Sequence, residues 1–288
     1  MTAASPTVRR QGGRRALAEA RLGAARASLS HCTFCLHRCA VDRRFGPAGK
    51  CGAGAHPRVF SAQTEVGDEL DLIPCFAIAL AGCSIRCAFC VTGDESWHAD
   101  RGSVMDTGAL AGRAVRAIES GAAKTIQILG GEPTVHLPWL IELVARLPEN
   151  TRIILKTNGL CTARTRRLLD GLIDVWLVDF KFGGDGCART LSRTRGYRAA
   201  VEETLFWAAR RADLIVRHLV MPGHVDCCWR PIATWLARHL PGVRISLRFG
   251  YWPSWKAAAR PEMAHPLTVA EQEAAAAIAA AHHLNLVA

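Results

Sequence analysis

The sequence has no long apolar run and few acidic residues, and both shortages exclude classes of protein. A membrane-spanning helix needs about 18 consecutive apolar residues, and no stretch of the 288-residue chain reaches that length. No apolar segment followed by a small-residue cleavage site stands near the first residue, so we do not expect secretion. We therefore predict a cytoplasmic protein without a membrane partner.

Acidic residues are scarcest near the start of the chain. Residues 1–27 hold six arginines and one glutamate, a net charge of +5 out of the formal +11 of the whole chain. Mitochondrial transit peptides and RNA-binding arms share this composition, but we favour a disordered basic tail over residues 1–28. The chain as a whole is 50% apolar and 21% charged, which excludes global disorder.

Cysteine, by contrast, is abundant, and most of the 12 cysteines are clustered. Without a secretion signal they are expected to be thiols, and clustered thiols indicate metal binding. The cluster with the spacing C-x3-C-x2-C consists of Cys83, Cys87 and Cys90. The cluster in CTFCLHRCAVDRRFGPAGKCG consists of Cys32, Cys35, Cys39 and Cys51. The adjacent Cys227 and Cys228 belong to neither, and we interpret them as incidental, with substrate contact by one of them as the alternative.

Apolar runs alternate with helical patterns from about residue 71 onward. Near-continuous apolar runs predict buried strands at 75–82, 124–131, 152–159, 174–181, 213–220 and 243–250. Helices are predicted at 107–120 with a threonine cap, and at 138–147, 162–172, 197–211, 229–239 and 268–281. This order predicts an α/β fold, a partial (β/α)6 TIM-type barrel with an N-terminal Cys-rich knuckle and a C-terminal helix.

The predicted fold divides the chain into four segments. They are a basic tail (1–28), a metal-binding Cys-rich knuckle (29–60), the partial barrel (61–250) and a C-terminal extension with a helix (251–288). In parallel α/β sheets the ligand site lies at the carboxyl ends of the strands. The motifs GGEP, KTNG, DFK and RHLVMPG stand at such ends, and the three-cysteine cluster follows the first strand. All five are therefore expected to meet at one mouth.

Three cysteines in one tight loop favour an iron–sulfur cluster over zinc. Structural zinc sites need four protein ligands, whereas a four-iron cube on three thiolates leaves one iron open for a ligand that is not protein. An open coordination position is typical of a catalytic metal. Phe89, next to Cys90, is placed to shield the cluster from water.

The C-x3-C-x2-C spacing with an aromatic before its last cysteine, together with LGGEP at 129–133, resembles the radical S-adenosylmethionine (radical SAM) superfamily. The resemblance covers roughly residues 70–250. It implies a [4Fe–4S] cluster on Cys83, Cys87 and Cys90 with SAM on the open iron. An electron from an external flavodoxin- or ferredoxin-like donor would then cleave SAM to methionine and a 5′-deoxyadenosyl radical, which abstracts a hydrogen atom.

The resemblance also implies residues that contact SAM. Glu132 would receive the ammonium, Arg217 the carboxylate, and Asn158 the ribose or carboxylate, while glycines allow close backbone approach. The implied cofactor-binding residues are Phe89, Gly130, Gly131, Glu132, Pro133, Asn158, Asp179 and Arg217. Lys181, at the end of the fourth predicted strand, is the candidate catalytic residue.

Further motifs resemble the longer type of pyruvate formate-lyase-activating-enzyme-like proteins. These are GGEPTVHLP, DVWLVDFKFG, RHLVMPGH, the terminal YWPSWKAAARPEMAHPLT and the knuckle with its GPAGKCG segment, covering residues 30–285. Activating enzymes take hydrogen from a glycine of a partner, so a protein or peptide substrate, such as a glycyl radical enzyme, is implied. The chain departs from these relatives where it has CVTGD instead of CQN, and Lys156 instead of an acid that helps to hold a cation.

Alternatives stay open at the knuckle and for the substrate. The four knuckle cysteines suit a closed zinc site, a second iron–sulfur cluster or free thiols, and we favour a second metal. A radical SAM enzyme acting on a small metabolite is the alternative function. A metal-containing protein that binds nucleic acid through the arginine-rich tail is a third hypothesis. We do not expect it, because a binding module has no need for an open iron.

Overall fold

The computed structural model describes residues 13–67 and 69–287, which contain one eight-stranded sheet in chain order. Its strands are β1 (Val59–Glu65), β2 (Cys75–Leu80), β3 (Thr125–Gly130), β4 (Ile153–Thr157), β5 (Val175–Asp179), β6 (Asp213–Leu219), β7 (Arg244–Arg248) and β8 (Asn285–Leu286). The first pair is antiparallel and the other six pairs are parallel. The ends of β2 to β7 therefore point to one side of the sheet.

Helices follow most of the strands. They are α1 (Arg14–Ala27), α2 (Gly93–Trp97), α3 (Thr107–Glu119), α4 (Leu137–Arg146), α5 (Ala163–Leu169), α6 (Asp185–Ser192), α7 (Tyr197–Ala208), α8 (Arg230–His239) and α9 (Val269–Ala281). Among the described residues, no helix has both the length and the apolarity that crossing a membrane requires.

The predicted α/β fold with a partial TIM-type barrel is confirmed. The six predicted strands correspond to β2 to β7, and burial is most complete in β2, β4 and β5, as their apolar runs indicate. The sequence did not predict β1, which is half-polar and half-exposed at the sheet edge, or the two-residue β8. Within the described part of the chain β1 and β8 do not pair, so the barrel is open.

Two helix starts test the capping predictions. The side chain of Asp106, rather than the predicted threonine, accepts a hydrogen bond from Ala109 N at the start of α3. Thr107 is already inside the helix and donates its hydroxyl to Glu142. The capping box of Thr268 with Glu271 at the start of α9 is present, as the sequence predicts.

The prediction of a disordered tail is wrong for residues 14–27, which form α1 and pack against α4. Ala18 and Ala25 are fully buried at this contact, because their small side chains allow the two helices to approach closely. Arginines of α1 also bind the barrel, since Arg26 pairs with Glu142 and Arg21 donates to Leu168 O. These contacts disfavour the RNA-arm interpretation; residues 1–12 lie outside the described residues.

Arg14 anchors α1 to the barrel, although arginine is a residue expected at the surface. Its side chain is 1% exposed. The guanidinium donates to the carboxylate of Asp174 at 2.9 Å and to the carbonyls of Thr151 at 2.7 Å, Pro148 at 2.5 Å and Glu149 at 3.1 Å. A buried cation is tolerated only when it is paired and hydrogen-bonded in this way.

We expect Arg14→Met to lower the free energy of unfolding by about 3 kcal/mol, because it removes the buried guanidinium that donates to Asp174 and to three carbonyls. Arg15→Met is the matched control, since the exposed Arg15 makes a single side-chain bond, to Ala145 O at 3.0 Å. Urea unfolding of both variants measures the difference. Equal midpoints for the two variants would show that α1 is not anchored through Arg14.

Candidate active site

The three cysteines Cys83, Cys87 and Cys90 lie on the loop that follows β2. Cys83 and Cys87 are buried and Cys90 is half-buried. Burial raises the pKa of the Cys83 thiol to about 12, against the hydrogen bonds from the backbone N–H groups of Arg86 and Ile85. Burial also raises the pKa of Cys87, against the nearby Lys181 ammonium. Thiolates at these positions therefore need a compensating positive charge, which a metal supplies.

The spacing of this loop fits a cluster of several metal ions. The charges of the three thiols act on one another. Among the described residues, however, the three Sγ atoms do not all lie within 4.8 Å of one another, as the ligand atoms of a single ion would. A cube of iron and sulfide is larger than a single ion, so its thiolate ligands stand farther apart. As three clustered thiols, Cys83, Cys87 and Cys90 are a suitable donor set for the [4Fe–4S] cluster that the resemblance implies.

Gly130 and Gly131 hold the loop after β3 directly against the cysteine loop. A Cβ at Gly130, where φ is +114°, would lie 2.2 Å from Leu80 N, and one at Gly131 would lie 2.2 Å from Gly82 O. Glu132 N donates to Gly82 O at 3.0 Å. In the structure these glycines thus allow the backbones of two loops to touch. A close approach of their backbone to SAM stays a prediction.

Glu132 joins the ends of β3 and β4. Its side chain is 1% exposed. It accepts hydrogen bonds from Thr134 N at 3.1 Å and Thr134 Oγ1 at 2.7 Å, from Thr157 Oγ1 at 2.7 Å and from Asn158 N at 2.8 Å. Burial raises its pKa, although these four bonds oppose the shift. The neighbouring Pro133 is buried and opens a short 3-10 turn. The carboxylate is thus held rigidly behind the cysteine loop.

Asn158 connects β4 to the cysteine loop itself. Its Nδ2 donates to Ser84 Oγ at 3.1 Å and lies 3.9 Å from Cys83 Sγ. Its Oδ1 accepts from Leu160 N at 3.1 Å, which fixes the orientation of the amide. An N–H group that faces a thiolate ligand tunes the potential of an iron–sulfur cluster. This position beside the cysteine ligand was not part of the predicted role.

Lys181, Asp179 and Arg217 form one ion-pair network at the ends of β5 and β6. Lys181 Nζ lies 2.7 Å from one carboxylate oxygen of Asp179, and Arg217 Nη1 lies 3.3 Å from the other. Arg217 Nε also pairs with Glu69 at 3.1 Å. Glu69 is 1% exposed and accepts from Ser246 Oγ. Glu69 could not be singled out from the sequence, because it is one of several acidic residues in the short segment between β1 and β2.

The network keeps its members charged in spite of burial. Burial opposes ionisation of Asp179, but Lys181, Arg217 and the more distant Lys156 outweigh it and lower the pKa. Burial also opposes the charge on Lys181, but the Asp179 carboxylate outweighs it and raises the pKa. Lys156, which replaces the acid of the resembling proteins, therefore acts on the same carboxylate from β4.

Phe89 and the C-terminal extension cover the cysteine loop. The Phe89 ring is buried and packs edge-on against Phe182, with 5.9 Å between centroids. Ser254 Oγ donates to Cys90 O at 3.3 Å, and the backbone N–H of Ala257 donates to Ala88 O at 3.0 Å. Shielding by Phe89 is consistent with its predicted place, whereas the contact of the extension with this loop was not predicted.

The knuckle cysteines Cys32, Cys35, Cys39 and Cys51 line one small pocket beside the barrel. Burial raises the pKa of Cys35 to about 12, and charge on any of the other three thiols raises it further. Among the described residues, no three of these Sγ atoms lie within 4.8 Å of one another, and the same holds for the cysteine loop. One zinc ion requires neighbouring thiolates about 3.8 Å apart. Four clustered thiols are a donor set for either a zinc ion or an iron–sulfur cluster.

Arg43 fixes the knuckle to the barrel. It is 1% exposed, and its guanidinium donates to Val135 O at 2.7 Å and, within the knuckle, to Ala53 O at 2.7 Å and Gly54 O at 2.9 Å. Its Nη1 also lies 3.5 Å from Cys32 Sγ. The neighbouring Arg44 pairs only locally, with Asp42 at 2.7 Å.

We expect Arg43→Met to lower the free energy of unfolding by about 3 kcal/mol, because three buried carbonyls lose their donor. Limited proteolysis should then cut within residues 29–60 faster than in the parent chain. Arg44→Met is the matched control and should change neither quantity, since its ion pair is at the surface. Resistance of both variants to proteolysis would contradict the anchoring role of Arg43.

Comparison with known proteins gives a family and a relative. The radical SAM superfamily model matches residues 78–236, just over half of the chain. An uncharacterized protein of Methanocaldococcus jannaschii, MJ0674, is 30% identical over 264 residues, which is 90% of this chain and 77% of that protein. Both matches include the cysteine loop after β2.

Solved structures with a similar fold include two of SuiB from Streptococcus suis. SuiB bound to S-adenosylmethionine is 14% identical with a TM-score of 0.52 over 71% of this chain. SuiB bound to the precursor peptide SuiA gives the same three values. The chain spans about half the length of SuiB, 47% and 46% in the two structures. At this identity the likeness is one of fold, and it agrees with the partial barrel.

Proposed function

This chain belongs to the radical SAM superfamily, and from that membership we propose an enzyme that takes a hydrogen atom from a protein or peptide partner. Enzymes of this superfamily use a [4Fe–4S] cluster and SAM and need an external electron donor. When bound, the cluster supplies the electron that cleaves SAM to methionine and a 5′-deoxyadenosyl radical. We further propose a flavodoxin- or ferredoxin-like donor and, from the many thiols, a cytoplasmic location.

The observation that carries this proposal is the meeting of the cysteine loop with charged groups from several strand ends. Cys83 lies beside Asn158, which follows β4, and Cys87 lies near Lys181, which follows β5. The buried Glu132 stands behind the same loop. Parallel strands that end on one side bring these residues together, although they are far apart in sequence. We propose that Cys83, Cys87 and Cys90 hold the cluster.

The remaining predicted residues have distinct proposed roles. Glu132 orients the ammonium of SAM, because its carboxylate is fixed by four hydrogen bonds. The guanidinium of Arg217 faces the carboxylate of SAM, which would join or replace Asp179 and Glu69. Lys181 is the candidate for proton handling near the substrate, since its ammonium stands at the mouth beside Cys87.

Exposed apolar side chains beside Cys90 support a macromolecular partner. Val91 is 71% exposed and Trp252 is 67% exposed. They belong to two segments that meet where Ser254, two residues after the tryptophan, donates its hydroxyl to Cys90 O. Exposed tryptophans are typical of surfaces that bind proteins. The activase-like choice of a glycyl radical enzyme as substrate is carried by the resembling motifs and is a proposal of the same kind.

Anaerobic reconstitution with iron and sulfide tests the chemistry. Addition of dithionite and SAM should then release 5′-deoxyadenosine. If the cluster is intact but this product is not formed, the proposal is wrong. Candidate partner proteins labelled with α-deuterated glycine test the substrate. Deuterium in 5′-deoxyadenosine from the protein fraction supports an activase-like role, whereas deuterium transfer from a small-molecule fraction alone would support the metabolite alternative.

A second metal in the knuckle is also proposed. The four cysteines that line one pocket supply the thiolates that an auxiliary iron–sulfur cluster needs, and such a cluster would relay electrons towards the barrel. His37 of the knuckle lies 2.8 Å, through Nε2, from Ser84 O, so the two cysteine segments are in direct contact. Iron analysis of Cys35→Ala against the parent tests this, with a loss of about four irons expected.

A further inference from the structure

Four potential metal ligands meet outside both cysteine clusters. They are Cys187 of α6 and three residues that follow β6, His224, Cys227 and Cys228. Their ligand atoms all lie within 4.8 Å of one another, which no other set of three or more His, Cys, Asp or Glu in residues 13–67 and 69–287 achieves. Cys228 is buried, while Cys227 is exposed and gives an ion access from solvent.

The distances match the edges of a tetrahedron around one ion. Cys227 Sγ lies 3.6 Å from Cys187 Sγ and 4.0 Å from Cys228 Sγ. His224 Nδ1 lies 3.2 Å from Cys227 Sγ and 3.6 Å from Cys228 Sγ. With Zn–S near 2.3 Å and Zn–N near 2.0 Å, a tetrahedral zinc ion separates two thiolates by about 3.8 Å and a thiolate from an imidazole by about 3.6 Å.

The backbone places these side chains without help from an ion. A single π-helical turn, Val225–Trp229, follows His224, whose carbonyl accepts from Cys228 N at 3.0 Å. This turn brings His224, Cys227 and Cys228 to one side. The facing loop approaches closely because Gly183 has no side chain, and a Cβ there would lie 2.5 Å from Cys227 O.

We propose that Cys187, His224, Cys227 and Cys228 bind one thiophilic divalent cation of the zinc class and so tie the loop after β5 to the loop after β6. The Cys3His set belongs to the recognised types of structural zinc site. It is too compact for the multi-iron cluster that fits the cysteine loop. The adjacent Cys227 and Cys228, read from the sequence as incidental, thereby gain a shared role.

The bound ion stabilises the rim of the mouth. The loop after β5 also carries Lys181, and β6 carries Arg217 near its end. The ion would therefore fix the position of Lys181 relative to Arg217. The inference does not depend on the proposed hydrogen abstraction, since it concerns metal content and loop stability alone.

Zinc and iron analysis of the anaerobically reconstituted full chain tests the site. Cys227→Ser is the first variant because its side chain is exposed and tolerates change, and Cys187→Ser is the second. Each should lose one zinc per chain relative to the parent with iron unchanged. Cys75→Ser, a buried thiol on β2 far from this site, is the control and should keep the zinc of the parent.

A second readout follows stability. A zinc chelator should lower the unfolding temperature of the parent and of Cys75→Ser but leave Cys227→Ser unchanged, because binding stabilises only chains that hold the ion. Equal zinc in parent and both site variants would overturn the proposal. So would loss of iron from the variants, which indicates an iron–sulfur cluster, or a parent mass two protons lower after metal removal under anaerobic conditions, which indicates a disulfide.

Discussion

Cys87→Ala is expected to lower 5′-deoxyadenosine formation by about 10²-fold or more, because even changes around the ligands of a metal cost up to about that factor. Cys87 is the buried middle cysteine of the loop. Burial raises its pKa, and the nearby Lys181 ammonium opposes this shift. Without its thiolate two protein ligands remain, which is too few to keep a cube of four irons in place. Bound iron should fall by about four atoms per chain, which leaves the iron of the cluster proposed for the knuckle.

The control for this variant is Cys75→Ala, which removes a buried thiol at the opposite end of β2. Both changes shorten a buried side chain by a single sulfur, so without a bound cluster both should cost about 1 to 2 kcal/mol of unfolding free energy. Iron content, the low-temperature EPR signal of the reduced cluster and product release are measured on both. If Cys87→Ala kept its iron and its turnover, the cluster would have to bind elsewhere, and the assignment of Cys83, Cys87 and Cys90 would be wrong.

The strands of the barrel and the residues at its mouth could be predicted because each is marked by a pattern in its own short stretch of sequence. The runs that became β2 to β7 are apolar and rich in β-branched residues, since the central strands of a parallel sheet are covered on both faces. Once the strands are placed, the motifs at their ends are brought to one side by parallel topology alone. Asp179, Lys181 and Arg217 form their ion-pair network for this reason, although 38 residues separate Asp179 from Arg217.

Other parts of the site depend on pairings that carry no local signal. Glu69 is buried only because Arg217 and Ser246, far along the chain, supply its partners. Arg14 is buried for the same reason, since its partners are the carboxylate and carbonyls at the bottom of the barrel. A composition rule that places arginines and acids at the surface therefore fails for these residues.

The two glycines of the GGEP motif have a structural role that the sequence did not predict. The sequence predicts that they allow approach to SAM, and the structure shows that they allow two loops to touch. Gly131 N donates to Leu80 O at 2.6 Å, in the segment that leads into the cysteine loop. Since Gly82 immediately precedes Cys83, the position of Cys83 depends on a glycine of another loop.

We expect Gly131→Ala to lower the free energy of unfolding by about 3 kcal/mol and to reduce cluster loading, because its methyl group would meet backbone atoms that cannot move aside. The new Cβ would lie 2.2 Å from Gly82 O and 3.1 Å from Ser96 O. Relief of this overlap requires a shift of Gly82 and, with it, of Cys83. Urea unfolding and iron content measure the two consequences.

The control is Gly23→Ala, which adds the same methyl group at an exposed position inside α1, with no atom within 4 Å. It should raise stability by up to about 1 kcal/mol, since alanine favours a helix interior over glycine, and leave iron unchanged. A Gly131→Ala protein that loads iron normally and unfolds at the parent's midpoint would show that the cysteine loop does not rest on the loop after β3. A protein that unfolds normally but loses iron would instead place the effect at the cluster ligands alone.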